Sequence, residues 1–359
     1  MIIAITIVSL ILLLIFHELG HFLLAKLFGA KVEEFGLGYP PRLFGKKYGE
    51  TLYSLNLIPF GAFVKIYGHE KRIDSPESFS TKPFWQKALI ILGGVISFWI
   101  IAAILLSIVM YTGVPAVVGD EAASNLVNPK VQVVGLAPDS PAQEAGLEIG
   151  DVIKGVYASG SFQEINKIGQ LQEIIEENKG SQISLRVLRR GEELEPSLTP
   201  RISPPEDEGA MGVALLRTAL KSYPWYLAPI EGAKATAGLT VSIIKAWGMT
   251  FSSLFGGGGL PAGVEVRGIV GVFDLFVQAG ALGASYFLQL VAMIAVHLAL
   301  INALPIPALD GGWLAFLAVE RITGKELNQK VVRGISGAFF ILLIILMVWI
   351  TINDVSRLF

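Results

Sequence analysis

The sequence predicts a polytopic α-helical membrane protein with four transmembrane helices, an inserted extracytoplasmic α+β domain and a cytoplasmic, membrane-associated β-loop. Three observations predict it. Of the 359 residues, 53% are hydrophobic and only 16% charged, and the mean hydropathy is +0.60, an apolar excess over ordinary soluble domains. Four windows each carry the roughly 20 mostly apolar residues that cross a hydrocarbon core. Basic residues gather in two of the connections, which orients the chain. A net charge of -2, without blocks of like charge, excludes a nucleic-acid footprint. The absence of cysteine excludes a thiol nucleophile, a disulfide framework and thiolate metal ligands, so any metal must be held by His, Asp or Glu.

The first window runs from Ile2 to Leu27. It lacks a basic leading segment and a small-residue cleavage site, and reads as a retained span rather than a signal peptide. The others are Ala88 to Tyr111, Ser285 to Leu304 and Gly334 to Ile352. A fifth apolar patch, Gly238 to Phe255, is interrupted by Lys245 and followed by four glycines. It reads as an interfacial amphipathic helix. Lysines and arginines from Lys26 to Lys87 place the loop between the first two windows in the cytoplasm and the N-terminus outside. Alternation then puts residues 112 to 284 outside, Arg321, Lys325 and Lys330 in the cytoplasm, and the C-terminus outside. A span at 238 to 255 would carry the second basic loop to the outer face, against the same rule.

In the outer insert, β-rich alternating runs flank a helical stretch, Phe162 to Glu177, with Leu171, Ile174 and Ile175 on one face. Arg190-Gly191 sits where a hairpin turn is wanted. By Ser140-Pro141-Ala142, Ala145-Gly146-Leu147 and Gly150-Asp151-Val152-Ile153, the segment 129 to 201 resembles a PDZ domain. A linker over 113 to 128 precedes it, and a region of interfacial helices over 202 to 284 follows. The resemblance implies capture of an extended peptide as an added strand. In the cytoplasmic loop, residues 50 to 68 carry short aromatic-rich alternating runs around Pro59 and Gly61, which read as a β-hairpin or looped sheet.

The chemistry lies in the first window. His17 and His21 are four apart, so on a helix their rings stack on one face with Glu18 adjacent. This H-E-x-x-H spacing suits two zinc-binding histidines and a glutamate general base. Ionisable residues at membrane depth are costly and mark function. His17 lies about 24 Å along the helix, in the cytoplasmic part of the bilayer. A catalytic zinc takes three protein ligands and keeps one open position. The stretch "INALPIPALDGG", residues 301 to 312, ends at the same depth by the charge count and offers Asp310. Pro305 and Pro307 cannot continue a regular helix, so the backbone opens there, as is tolerated where it lines a wet cavity. His297 falls outside this pattern and reads as a packed histidine.

"HELGH" in a first helix, a PDZ-like insert and "NALPIPALDGG" after a later helix together resemble the site-2 protease family of intramembrane zinc metalloproteases, along nearly the whole chain. The resemblance implies one zinc held by His17, His21 and Asp310, Glu18 as base toward water, and Asn302 near the substrate or the developing oxyanion. It also implies a membrane-dipping β-loop holding the unwound substrate by strand addition, with Phe60, Gly61 and Phe63 as contacts. The implied substrates are single-span membrane proteins, anti-sigma factors or signal-peptide remnants, already trimmed by another protease, cut in a bacterial inner membrane. The PDZ-like insert would bind a peptide or exclude bulky substrates. Two departures stand out. Where the family shows Gly-Pro-x-x-Asn in the second helix, this chain reads Gly94-Val95-Ile96-Ser97-Phe98, and a Gly-Pro-x-Gly-Ile segment is reduced to Gly268-Ile269. A silent homologue binding membrane proteins through the insert, and a zinc transporter, are the competing classes. Glu18 argues against the first and the lack of a ligand relay against the second.

Overall fold

The computed structural model describes residues 2–69, 71–121, 126–189, 191–205, 208–257, 259 and 268–356. They form two compact units, Met1–Ile108 with Pro229–Phe359, and Val109–Ala228.

Helix α1, Ile2–Leu27, is apolar all round except at its motif. It stops where Gly29 takes a left-handed φ of 66°, its N–H bonding the Lys26 carbonyl at 3.0 Å while Ala30 bonds Ala25 at 2.8 Å. Strands β1 (Val32–Tyr48) and β2 (Thr51–Ile66) follow. Both bend, and they pair more than once. Residues 32–37 run antiparallel to 62–66, Val32 opposite Ile66 and Leu37 opposite Ala62. On their other side Phe35, Gly36 and Leu37 oppose Tyr53, Ser54 and Leu55, both numbers rising together. Beyond Pro40-Pro41, which cannot donate to a ladder, residues 42–48 run antiparallel to 51–56. Segments 61–66 and 42–48 are therefore the sheet's edges. Of the β-hairpin or looped sheet expected in 50–68, the residues form only one arm, the other lying upstream in the same 29–84 loop. That segment is one bent strand whose partner, 32–48, carries Gly36, Gly38 and the two prolines, which erase the period-two signal. Helix α2 (Phe84–Thr112) leads into the second unit.

That unit holds β3 (Val114–Val117), β4 (Leu126–Leu136), α3 (Pro141–Glu144), β5 (Val152–Ala158), β6 (Ser161–Glu164), α4 (Ile168–Glu177), β7 (Ile183–Arg189), β8 (Glu192–Leu194), β9 (Ser197–Leu198) and β10 (Val213–Lys221). The sheet order is β3-β10-β4-β5-β7-β8, with β6 beside β5 and β9 beside β7. Leu171, Ile174 and Ile175 of α4 close the core formed by Val131, Val133, Ile153, Val156 and Leu185. Two boundaries differ from expectation. Phe162 lies in β6, and α4 begins only at Ile168, where Asp120 accepts the N–H groups of Ile168 and Gly169 at 3.0 and 2.6 Å and the Gln170 side chain accepts those of Asn166 and Lys167 at 3.1 Å. The domain is also wider than 129–201, because β10 pairs with β4 and β3. At the expected hairpin turn, Arg189 opposes Glu192, and Arg190 lies outside the described residues.

Asp151 is buried and anchors this unit. Arg189 donates to it through Nε at 2.7 Å and Nη2 at 2.8 Å, and the Glu148 N–H at 3.0 Å. Burial by itself raises the Asp151 carboxyl, but the guanidinium and the N–H outweigh it and hold it below the ordinary value.

The chain then returns to the first unit through α5 (Ala228–Phe255), α6 (Ile269–Leu282), α7 (Ala284–Ala303), α8 (Asp310–Thr323) and α9 (Gln329–Ser356). Helices α1, α2, α7 and α9 are long and apolar enough to cross a membrane. Helix α5 is longer than the expected patch. Its first turns are small residues that hydropathy overlooks, and they pack so closely that a Cβ on Gly232 would overlap Ser107 of α2. Ile243 joins Leu13, Phe98, Phe276 and Val296 in the core of α1, α2, α6 and α7. Asp354 of α9 accepts the Gly271 N–H at 2.9 Å, capping the start of α6 across the bundle.

The depressed Asp151 carboxyl has a pH signature. Its contribution is complete above the ordinary carboxylate pKa of about 4 and is lost as pH falls through the lower folded value. Asp151→Asn is expected to cost about 2 kcal/mol at pH 7. In the full-length protein this reads as faster hydrogen exchange across β5 and β7, and unchanged exchange would show that the pair does not anchor the unit.

Candidate metal centre

Helix α1 brings His17 and His21 together, their Nε2 atoms 3.4 Å apart. The third corner comes from the other end of the unit. Asp310 Oδ2 lies 3.5 Å from His17 Nε2 and 3.4 Å from His21 Nε2. A tetrahedral zinc with bonds of about 2.0–2.1 Å sets its ligand atoms roughly 3.3–3.4 Å apart, which is the spacing of this triangle. Asp310 Oδ2 is buried without a hydrogen-bond partner, an arrangement that costs free energy unless a cation sits there. The residues fit the ion, and among the described residues His17, His21 and Asp310 are the group able to hold one.

Local structure explains each corner. Helix α7 ends at Ala303, Leu304 is extended, and α8 starts at Asp310 itself, so the prolines between them turn the chain and place a carboxylate at a helix N-terminus, where anions are favoured. Gly311 and Gly312 make this possible, since a Cβ on either would overlap the Leu304 or Ile306 carbonyl. His21 Nδ1 donates to the Ile90 carbonyl of α2 at 2.8 Å, which leaves the Nε2 lone pair free. The His17 ring stacks on Phe98, centroids 4.7 Å apart and planes 23° apart. Phe98 is thus the wall that orients a histidine.

Reasoning from the sequence missed Gly20, Gly93 and Gly94. A Cβ on Gly20 would overlap the Gly93 backbone, and one on Gly94 would overlap the His17 ring and His21 Nε2. The signal was the Gly93-Gly94 pair inside an apolar run facing the motif, since small residues let membrane helices touch.

Glu18 faces the backbone N–H of Val64, on the edge segment 61–66. With His21, Asp310, Val64, His69 and Trp313 it lines a cavity of about 150 Å³, room for several waters. Gly61 takes a φ of 95°, and the Phe63 ring stacks on Tyr39 at 6.3 Å. The side chain of Phe60 lies outside the described residues. Asn302 lies in the last turn of α7. Its Nδ2 donates to the Leu298 carbonyl of its own helix at 2.9 Å. His297 lies on the same helix, Nδ1 at 2.9 Å from the Met293 carbonyl and its ring 6.1 Å from Trp247.

The family model of peptidase family M50 matches residues 5–346. The chain belongs to peptidase family M50. It is 33% identical over 350 residues to a Clostridium acetobutylicum protein named as a zinc metalloprotease, covering 96% of this chain and 94% of that one. A Clostridium perfringens protein named likewise is 32% identical, covering 96% and 95%, and one from Nostoc sp. is 29% identical, covering 96% and 93%. The M50 enzyme is a zinc metalloprotease and, with its apolar helices, a multi-pass membrane protein.

Gly94→Ala is expected to displace the histidine rings and lower bound zinc in the M50 enzyme at least tenfold, whereas Gly238→Ala, with open space around its Cβ, leaves zinc unchanged. Metal analysis of the purified proteins decides it, and full zinc occupancy in Gly94→Ala would overturn the role given to that glycine.

Proposed function

We propose that the M50 enzyme is a site-2-type intramembrane endopeptidase that hydrolyses peptide bonds within or near the transmembrane segment of single-span membrane proteins. The observation that carries this reading is a zinc-sized ligand triangle two of whose corners lie on an apolar helix of 26 residues. His17, His21 and Asp310 hold the metal, and when bound it supplies Lewis acidity toward water and the scissile carbonyl. The protein's own groups do the rest. The Ile90 carbonyl and the Phe98 ring fix the two imidazoles, and Asp310 stands at a helix N-terminus, where a carboxylate is favoured. Glu18 takes the proton of the attacking water and passes it to the leaving amine.

A helical substrate has its peptide bonds tied up in internal hydrogen bonds and must unwind before attack. Edge segment 61–66, with Gly61 and Phe63, is the outer strand of the sheet, where an unwound segment adds as a further strand. At the other edge Leu43, Phe44 and Tyr48 are exposed apolar groups, suited to dipping into the bilayer. By charge counting the β1–β2 loop is cytoplasmic, and the N-terminus, the β-rich unit and the C-terminus lie outside the inner membrane. The β-rich unit, read as a PDZ domain, binds a peptide on its own sheet edge. Membrane-tethered anti-sigma factors or signal-peptide remnants, trimmed beforehand, are the substrates this reading favours. Asn302 orients substrate from the end of α7.

The test is cleavage of a tagged single-span model substrate in detergent by wild type and Glu18→Gln, with zinc measured in both. Glu18→Gln is expected to keep one zinc per chain and lose about 10²–10⁴-fold in rate. Chelation silences the wild type and added zinc restores it. Cleavage by Glu18→Gln at the wild-type rate would remove Glu18 as the base and the reading with it.

A further inference from the structure

His69 is neither a metal ligand nor a neighbour of the H-E-x-x-H motif in sequence, yet the fold delivers it to the same cavity. Segment 61–66 ends in a turn at Tyr67-Gly68. Gly68 has a φ of 75° and sits so tightly that a Cβ would overlap Ser78 Oγ. The His69 N–H bonds the Ile66 carbonyl at 3.2 Å, and the Phe79 N–H bonds that of Tyr67 at 2.8 Å. The imidazole is wedged between two aromatic rings, 4.8 Å from Phe79 and 4.6 Å from Trp313. It lines the cavity that holds Glu18, His21 and Asp310, and also the groove along Tyr39, Phe63 and Lys65 on the sheet side. With Val64 and Ile66 it borders both spaces, and of the three it is the one with a polar side chain.

Two ordinary roles do not account for it. The metal-sized cluster among the described residues contains His17, His21 and Asp310 and not His69. A packed structural histidine is held by its nitrogens, as His297 is by the Met293 carbonyl. The ring of His69 is held by aromatic contacts, and none of the hydrogen bonds among the described residues involves its ring nitrogens.

We propose that His69 is a substrate-contacting residue of the protease site, its imidazole hydrogen-bonding the backbone of the unwound peptide beside the bond that is cut. The inference rests on the reading of Glu18 and the triangle as the catalytic centre. A peptide laid along edge 61–66 passes Glu18 at Val64 and reaches His69 past Ile66. Val64 and Ile66 are roughly 6–7 Å apart along a strand, so the contact falls about two residues from the scissile bond. Burial pushes the imidazole down to about 4, so at neutral pH the ring is uncharged and offers one donor and one acceptor, the pair that a peptide group matches.

The test compares wild type, His69→Phe, His69→Gln and Glu18→Gln as full-length proteins in detergent, on the same tagged single-span substrate. Zinc content and thermal stability are measured in parallel. His69→Phe keeps a ring between Phe79 and Trp313 and removes the nitrogens. It is expected to retain zinc and stability and to lose about tenfold in kcat/KM, mostly through KM, as one hydrogen bond would give. His69→Gln is expected to recover most of the loss. Wild-type kcat/KM in His69→Phe overturns the inference, as does a loss that tracks lost zinc or stability. If Glu18→Gln stays silent in that case, only the role of His69 falls. If Glu18→Gln cuts as well as the wild type, the catalytic reading falls and takes this inference with it.

Discussion

The metal centre depends on two helix backbones touching. Helices α1 and α2 meet at Gly20 and Gly93, where neither has room for a side chain, and Gly94 leaves the space the histidine rings fill. In lipid there is no hydrophobic force between helices to draw them together, so such contacts rest on close van der Waals packing of small residues. The same approach lets the Ile90 carbonyl of α2 reach His21 at 2.8 Å and lays Phe98 against His17. Two helices spaced by leucines would leave both imidazoles free to turn. The contact is thus a packing feature that fixes ligand orientation, the quantity a metal site is most sensitive to.

The remaining corner is a backbone problem. A carboxylate shielded from water is expensive, and here it is placed at a helix start next to an interrupted helix end. Pro305 and Pro307 prevent α7 from continuing, and Gly311 and Gly312 let α8 begin against the carbonyls that the break exposes. The irregular segment and the ligand therefore come from one short motif. Next to it the sheet edge brings a backbone N–H to Glu18, so Glu18, His21, Asp310 and the strand residues Val64 and Ile66 line one cavity.

Much of this was legible in the sequence. The four long helices follow from hydropathy, and the pairing of "HELGH" with "LDGG" across nearly 290 residues follows from depth and charge, because side-chain chemistry in a membrane is rare enough to be conspicuous. What stayed hidden has physical reasons. Glycines in an apolar run register only as neutral, so Gly20 carries no pattern of its own and the Gly93-Gly94 pair only a faint one. The partner of β2 is bent by Pro40-Pro41 and interrupted by glycines, so its alternation vanishes. The start of α4 is set by Asp120, 48 residues upstream of Ile168, and local propensity holds no trace of such a partner. Phe98 read as a missing polar contact and is a packed ring.

The carboxylate of Asp354 closes the N-terminal turn of α6 from 83 residues further along the chain. Synthesis runs from N- to C-terminus, so α6 and the hairpin it makes with α7 are translated while this cap does not yet exist. The first turn of α6 must keep its open N–H groups near water or another acceptor until α9 arrives. Helix α9, which contributes nothing to the ligand triangle, thereby sets the moment at which the start of α6 is closed.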